Sequence, residues 1–250
     1  MQTRLVTAFL VLSALAVARG AAAQVAPETA HAELTMNFWS PTPGATLQGV
    51  DFPSVLNIQP ERFREMRLRT GGAHKFRFSS LPIKYEKTGT VINTTVTFQG
   101  VQYPISLPVD YTLKWNLYRI GYEWDFARFH YGFVGLVTEV KYNKVTAAID
   151  AANIGAESTE VNAPVPTVGG IARIYMGQYF SATTEFTALK LTRDEFRGKF
   201  YDFDVYGQLN LVKQLGVQVG YRSIDVDYLV DSDEGLLKFK GPYFGGVLRF

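Results

Sequence analysis

Three histidines, His31, His74 and His130, are the side chains of this 250-residue sequence best suited to general-base work near neutral pH. A weak hydroxyl or a water becomes a nucleophile only beside such a base, so a hydrolase or acyltransferase would need one of them next to a Ser or an Asp. An acid-only mechanism could draw on Asp202 and Asp204. With no Cys and three scattered His, no transition-metal ligand spacing exists, and no metal or cofactor is expected. The stretch DSDEG at 231–235 gathers oxygens that could attract calcium but lacks the spacing of a dedicated cage. Gly71-Gly72 and Gly169-Gly170 are not phosphate loops, because no helix pattern follows either pair. Asn93-Thr94-Thr95 matches a glycosylation triplet, which alone carries little weight.

The elements that must position these residues alternate with period two. In FYDFDVYGQLNL, residues 200–211, Tyr201, Phe203, Val205, Leu209 and Leu211 fall on one parity, and Asp202, Asp204, Gln208 and Asn210 on the other. The same alternation runs through FSATTEFTA, HKFRFS and GVQVGYR. Each reads as a strand with one apolar and one wet face. A soluble sandwich would alternate too. Here the polar faces carry many charges, Tyr, Phe and Trp edge the apolar faces, and long and short connections alternate. Those features fit a barrel in an outer membrane, apolar side to lipid and polar side inward. From Leu34 onward no apolar run is long enough for a transmembrane helix.

The expected strands are 32–40, 61–70, 73–86, 108–124, 127–143, 165–177, 180–192, 199–212, 215–230 and 236–250. Long connections at 41–60, 87–107 and 144–164 contrast with short ones at Gly71-Gly72, Asp125-Phe126, Gln178-Tyr179 and Lys213-Gln214, while 193–198 and 231–235 are intermediate. Residues 87–107 are β-rich and read as an extended hairpin above the membrane. The fold class is all-β: an antiparallel transmembrane up-and-down β-barrel of about ten strands, with eight as the alternative, spanning 32–250 as one domain. Short turns belong on the periplasmic side and long loops outside.

Both ends of the chain agree. Arg4, an apolar run from Leu5 to Val17 and Ala21-Ala22-Ala23 form a cleavable secretory signal peptide over 1–23, and 24–31 is expected to be a flexible periplasmic lead-in. Loss of Arg4 and Arg19 would bring 25 basic residues to 23, level with the 23 acidic ones, so no basic excess calls for nucleic acid. At the other end GPYFGGVLRF is an alternating strand closing on Phe250. In carrying Tyr243, Phe244, Val247, Leu248 and Phe250 there, the chain resembles bacterial outer-membrane barrels, whose terminal strand is read by the barrel assembly machinery. The segments HKFRFSSLPIKYE, YRIGYEWDF, VPTVGGIARIYM, FYDFDVYGQLNL, VQVGYRSIDVDYL and GPYFGGVLRF resemble a group of Gram-negative outer-membrane β-barrel proteins without an assigned activity. That resemblance implies the fold, the location and outer-membrane lipid as a partner, and it brings no catalytic or ligand residues.

Parity assigns an inward charged set: Arg67, Arg69, Lys75, Arg77, Arg119, Glu123, Glu139, Lys141, Arg173, Glu185, Asp202, Asp204, Arg222 and Arg249. In so narrow a barrel opposite walls meet, so these charges are expected to pair and fill the interior. The alternative is a narrow passive, porin-like channel or small-ligand conduit lined by them. The apolar parity switches near Leu117 and again near Ser223. Either a β-bulge flips the register there or the strands rise above the bilayer. The second option places an apolar interior outside the membrane at Leu113 and Trp115, with Leu81, Ile83, Ile224, Val226 and Tyr228. All three histidines then fall at the periplasmic rim, which disfavours an enzyme. A structural or surface-interaction barrel remains, whose long loops would meet any extracellular ligand.

Overall fold

The computed structural model describes residues 30–47, 50–92, 95–98, 100–152, 154–193, 196–230 and 233–250. The expected signal peptide, most of the lead-in, Asn93 and Thr94 of the glycosylation triplet and residues 231–232 of DSDEG lie outside the described residues. In chain order the elements are β1 (Ala32–Trp39), β2 (Thr42–Leu47), β3 (Val50–Asp51), α1 (Phe52–Val55), β4 (Phe63–Gly71), β5 (His74–Val91), β6 (Val96–Phe98), β7 (Val101–Tyr103), β8 (Pro108–Phe129), β9 (Gly132–Ala151), β10 (Gly155–Met176), β11 (Phe180–Arg193), β12 (Phe196–Asn210), β13 (Leu215–Val230) and β14 (Asp233–Arg249).

β1, β4, β5 and β8 to β14 form a closed antiparallel barrel of ten strands, shut by pairing of β1 with β14. The register fixes its shape. A path stepping across paired residues from Met176 passes through Phe180, Leu209, Val217, Gly246, Met36, Met66, Ser80, Tyr118 and Tyr142 and returns to β10 at Pro164. That stagger of twelve residues (176 less 164) on ten strands tilts them by about 40° and sets a backbone radius of roughly 10 Å, narrow enough for side chains to fill.

The outer surface is lipid-ready. Phe76 is 72% exposed, Ile120 67% and Val219 64%, which water alone would not tolerate as one continuous apolar band. Trp124, Phe126, Phe129, Tyr131 and Tyr179 ring the short-turn end, and Tyr118, Tyr142 and Tyr221 the other edge. From Tyr118 to Phe129 is twelve residues including the register shift after Trp124, enough for the roughly 9–11 that a tilted strand needs to cross a bilayer. The chain is an outer-membrane β-barrel. Its short turns lie at the periplasmic end.

Four connections differ from the sequence expectation. The turn expected at Asp125-Phe126 falls instead at His130-Tyr131, because β8 continues to Phe129 through a register shift between Trp124 and Ala127. The long loop expected at 144–164 is a paired hairpin, β9 running to Ala151 and β10 starting at Gly155. The connections at 193–198 and 231–235 shorten likewise, since β11 reaches Arg193 and β13 reaches Val230. The stretch 41–60 carries β2, which continues β1 along β14, and then β3 and α1. Residues 87–107 hold the upper end of β5 and the separate β6–β7 hairpin.

Above the membrane the barrel becomes two facing sheets. Pairing of β4 with β5 stops at Met66↔Ser80, and pairing of β10 with β11 stops at Val168↔Ala188. Beyond these points β5, β8, β9 and β10 form one sheet, and β11 to β14 with β2 and β3 the other. Prolines mark both seams, Pro82 on β5 and Pro164 and Pro166 on β10, where an edge strand tolerates the missing N–H.

Candidate functional site

The interior has two levels. Within the membrane it is ionic. Nine basic side chains (Arg67, Arg69, Lys75, Arg77, Arg119, Lys141, Arg173, Arg222, Arg249) meet eight acidic ones (Glu33, Glu65, Glu123, Asp125, Glu139, Glu185, Asp202, Asp204). Strand alternation aims them all inward, because lipid occupies the other face.

Two carboxylates act as hubs. Glu65 on β4 takes Arg67 at 2.7 Å, Arg119 at 2.8 Å and Arg222 at 2.6 Å. Asp202 on β12 accepts from Arg222 at 2.7 Å and Lys141 at 2.6 Å, with Arg119 at 3.5 Å. Arg222 therefore ties β4 to β12 from its own place on β13. Other pairs cross the lumen directly: Arg67 to Asp204 at 2.7 Å, and Arg69 and Arg77 to Glu185 at 3.1 and 2.5 Å. Toward the periplasmic end Lys75 bonds Glu123 at 2.8 Å and Asp125 at 2.6 Å, and its ammonium lies 4.3 Å from the Phe133 ring centroid. Glu139 is bound by Lys141 at 3.1 Å, and Thr187 donates to it at 3.2 Å. Arg173 donates to Thr183 at 2.9 Å and to Tyr206 at 3.1 Å, and Arg249 pairs with Glu33 at 2.9 Å.

So many buried charges are tolerable only because each has opposite charge or hydrogen-bond partners. Asn37 links the network to neutral groups, donating to Glu65 at 3.3 Å and accepting from Gln218 at 2.7 Å. A cavity within the network, between Arg67, Arg77, Arg119 and Glu139, measures about 10 Å³, at most the room of a single water.

Above this level the inward face turns apolar. Leu113, Trp115, Leu117, Leu81, Ile83 and Ile224 are buried, Val226 packs against them, and the side chain of Tyr228 lies outside the described ones. Strand pairing runs unbroken past Leu117 and past Ser223, so no bulge causes the switch. The strands simply leave the bilayer there. Rings from the two sheets meet, with Trp115 5.2 Å and Tyr85 6.4 Å from Phe239, while Phe63 crosses Tyr85 edge-on at 5.1 Å. Val55, Leu56 and Ile58 close the core from above, leaving a cavity of about 20 Å³ beside Ala45 and Leu113. The Tyr85 and Tyr103 hydroxyls are buried there without hydrogen-bond partners among the described residues, and burial raises both phenol pKa values. On the β5, β8, β9 and β10 side of the head an open hollow of about 680 Å³ is lined by Glu86, Lys87, Asp110, Tyr111, Asp150 and Glu157.

Sequence reasoning missed Glu65, Glu33 and Asp125. Glu65 shares the parity of Arg67 and Arg69 on the same strand, so the signal was present; Asp125 was hidden by assigning it to a turn. The histidines all lie at the periplasmic end. The backbone N–H of His31 donates to the Phe250 carbonyl at 2.8 Å, which anchors the last residue of the expected lead-in to the chain's terminus. His74 is hydrogen-bonded to the Tyr122 hydroxyl and stacks at 6.1 Å on Trp124. His130 occupies the turn itself, not the start of β9, and packs against Tyr131 at 4.9 Å. On β14, Tyr243 and Val247 face inward, Tyr243 donating to Asp204 at 2.8 Å, whereas Phe244, Leu248 and Phe250 face outward.

No family model and no curated protein matches the chain. Solved structures similar to it include Ail, the attachment invasion locus protein of Yersinia pestis, in complex with the heparin analogue sucrose octasulfate, at 11% identity and TM-score 0.40, covering 88% of this chain and 99% of that one. The toluene transporter TodX of Pseudomonas putida is similar at 7% identity and TM-score 0.36, covering 94% and 93% of the two chains.

Proposed function

We propose that the protein is a closed outer-membrane barrel that works through its extracellular surface rather than through its lumen. The observation that carries this reading is the sharing of Glu65 by three guanidinium groups, from β4, β8 and β13, across the middle of the barrel. Moving ions through would require parting buried pairs, and each bared charge would cost several kcal/mol, of order 3–5. The apolar level above supports the same reading, because ions gain nothing from Trp115, Leu117 and Phe239. No catalytic role is assigned to any histidine, since all three belong to the periplasmic rim. The terminal residues Tyr243, Phe244, Val247, Leu248 and Phe250 serve insertion, as the strand offered to the barrel assembly machinery.

The two-sheet head, with the open hollow that Glu86, Lys87, Asp110, Asp150 and Glu157 help to line, is the part available to an extracellular ligand. Vesicle efflux tests the reading. Refolded protein in liposomes loaded with a small charged dye and potassium ions should leave both trapped. Release at rates that scale with protein content would favour a narrow conduit lined by the same charges.

A further inference from the structure

The barrel exterior changes character just above Tyr118, and the new surface is basic. Register sets Lys84 of β5 directly opposite Lys114 of β8, and Lys190 of β11 directly opposite Lys199 of β12. Like charges facing each other across strands repel, so two such pairs at one level of a barrel need a reason. One member of each pair is neutralised within the chain, Lys84 by Glu86 at 2.5 Å and Lys199 by Asp227 at 2.9 Å. The others, Lys114 and Lys190, are exposed and make no ion pair or hydrogen bond among the described residues. Lys240 and Arg64 are exposed and unpaired in the same sense, close to the level where Phe38 and Phe244 stack on the outer face.

These residues stand where a tilted strand emerges from the hydrocarbon, the depth of the outer-leaflet headgroups. We propose that this collar binds the phosphate groups of outer-leaflet lipid headgroups, with Lys114 and Lys190 as the central contacts and Arg64 and Lys240 as flanking ones. Register spreads these four uncompensated cations over roughly 10 Å of height, from Arg64 level with Tyr118 up to Lys114, which matches an anionic headgroup layer and not a single soluble ion. Long basic stems suit the position, lying on the apolar wall while the charge reaches the phosphates. The proposal does not depend on whether the lumen conducts.

The test uses the refolded full-length barrel in neutral detergent, titrated with diphosphorylated lipid A, with the same lipid stripped of its phosphates, and with inorganic pyrophosphate. Binding is followed directly and through the temperature at which the heat-modifiable band shifts, since a ligand of the folded state raises it. The diphosphorylated lipid should bind and raise that temperature. Lys114→Gln and Lys190→Gln should each weaken binding roughly fivefold, from about 1 kcal/mol per basic residue at a charged membrane surface. Lys213→Gln, in a periplasmic turn, should leave binding unchanged and control for general charge loss. Equal binding of the phosphate-free lipid would overturn the proposal, as would unaltered affinity in both collar variants. Pyrophosphate binding as tightly as the lipid would overturn it in favour of a free-anion site. Both collar residues are exposed, so their variants should fold; should one not, the other alone decides.

Discussion

The two levels of the interior are built on the same strands in opposite chemistry. Along β8 the inward residues read Tyr111, Leu113, Trp115 and Leu117, then Arg119, Glu123 and Asp125. The pleat never changes. What changes is the medium outside, water above Tyr118 and hydrocarbon below it. Where water wets the exterior, the interior can be an ordinary apolar core, and the head packs as a soluble two-sheet structure does. Where lipid wets the exterior, an apolar interior would make each strand hydrophobic on both faces, and such runs risk being taken for transmembrane helices during export. Charge inside keeps the strands amphipathic, and it is tolerable only if fully paired.

Breaking the ionic level should have the largest effect. Glu65→Gln removes the charge that Arg67, Arg119 and Arg222 share and should lower stability by about 4 kcal/mol, read from urea unfolding of the refolded barrel. In the apolar level Leu117→Ala should cost about 3 kcal/mol through the cavity it leaves, with no gain in ion permeability, because the ionic level beneath stays shut. If Leu117→Ala leaked ions, the division between the levels would be wrong.

Parity made most of this legible in advance. It assigned Arg77, Lys141 and Arg222 to the interior because their neighbours on the opposite face, such as Phe76, Phe78 and Tyr221, could only face lipid. It also located the switch at Leu117, since Trp115 and Tyr118 cannot share a face. Pairing partners were not legible, because they depend on a stagger of twelve residues that no local pattern states. The hairpin over 144–164 escaped notice for a related reason. Its inward residues, Ala147, Ile149 and Ala151, are aliphatic, and its outward face meets water, so the aromatic edges that advertise a lipid-facing strand are missing. Asp125 and Phe126 looked like a turn because the register shift beside them interrupts strict alternation.

Smaller effects sharpen the boundary. Tyr243→Phe removes one hydrogen bond to Asp204 but leaves Arg67 in place, so about 2 kcal/mol should be lost, measured by the same urea unfolding. Asp227→Ala breaks the partly exposed pair with Lys199 on the head and should cost no more than about 0.5 kcal/mol, with the difference fading at high salt.

Single-channel recording of the wild-type barrel beside Asp202→Ala is the most direct test. Asp202 is held by Arg222 and Lys141 with Arg119 nearby, so its loss strands cations in the lumen and opens room between them. With folding verified by heat-modifiable migration, a barrel closed by its ionic level requires an electrically silent wild type and, once Leu117→Ala has also loosened the apolar level in series above it, an Asp202→Ala variant that conducts with preference for anions. Stable, ion-selective openings of the wild type, or a folded double variant as silent as its parent, would contradict the claim that the ionic level is what closes the barrel.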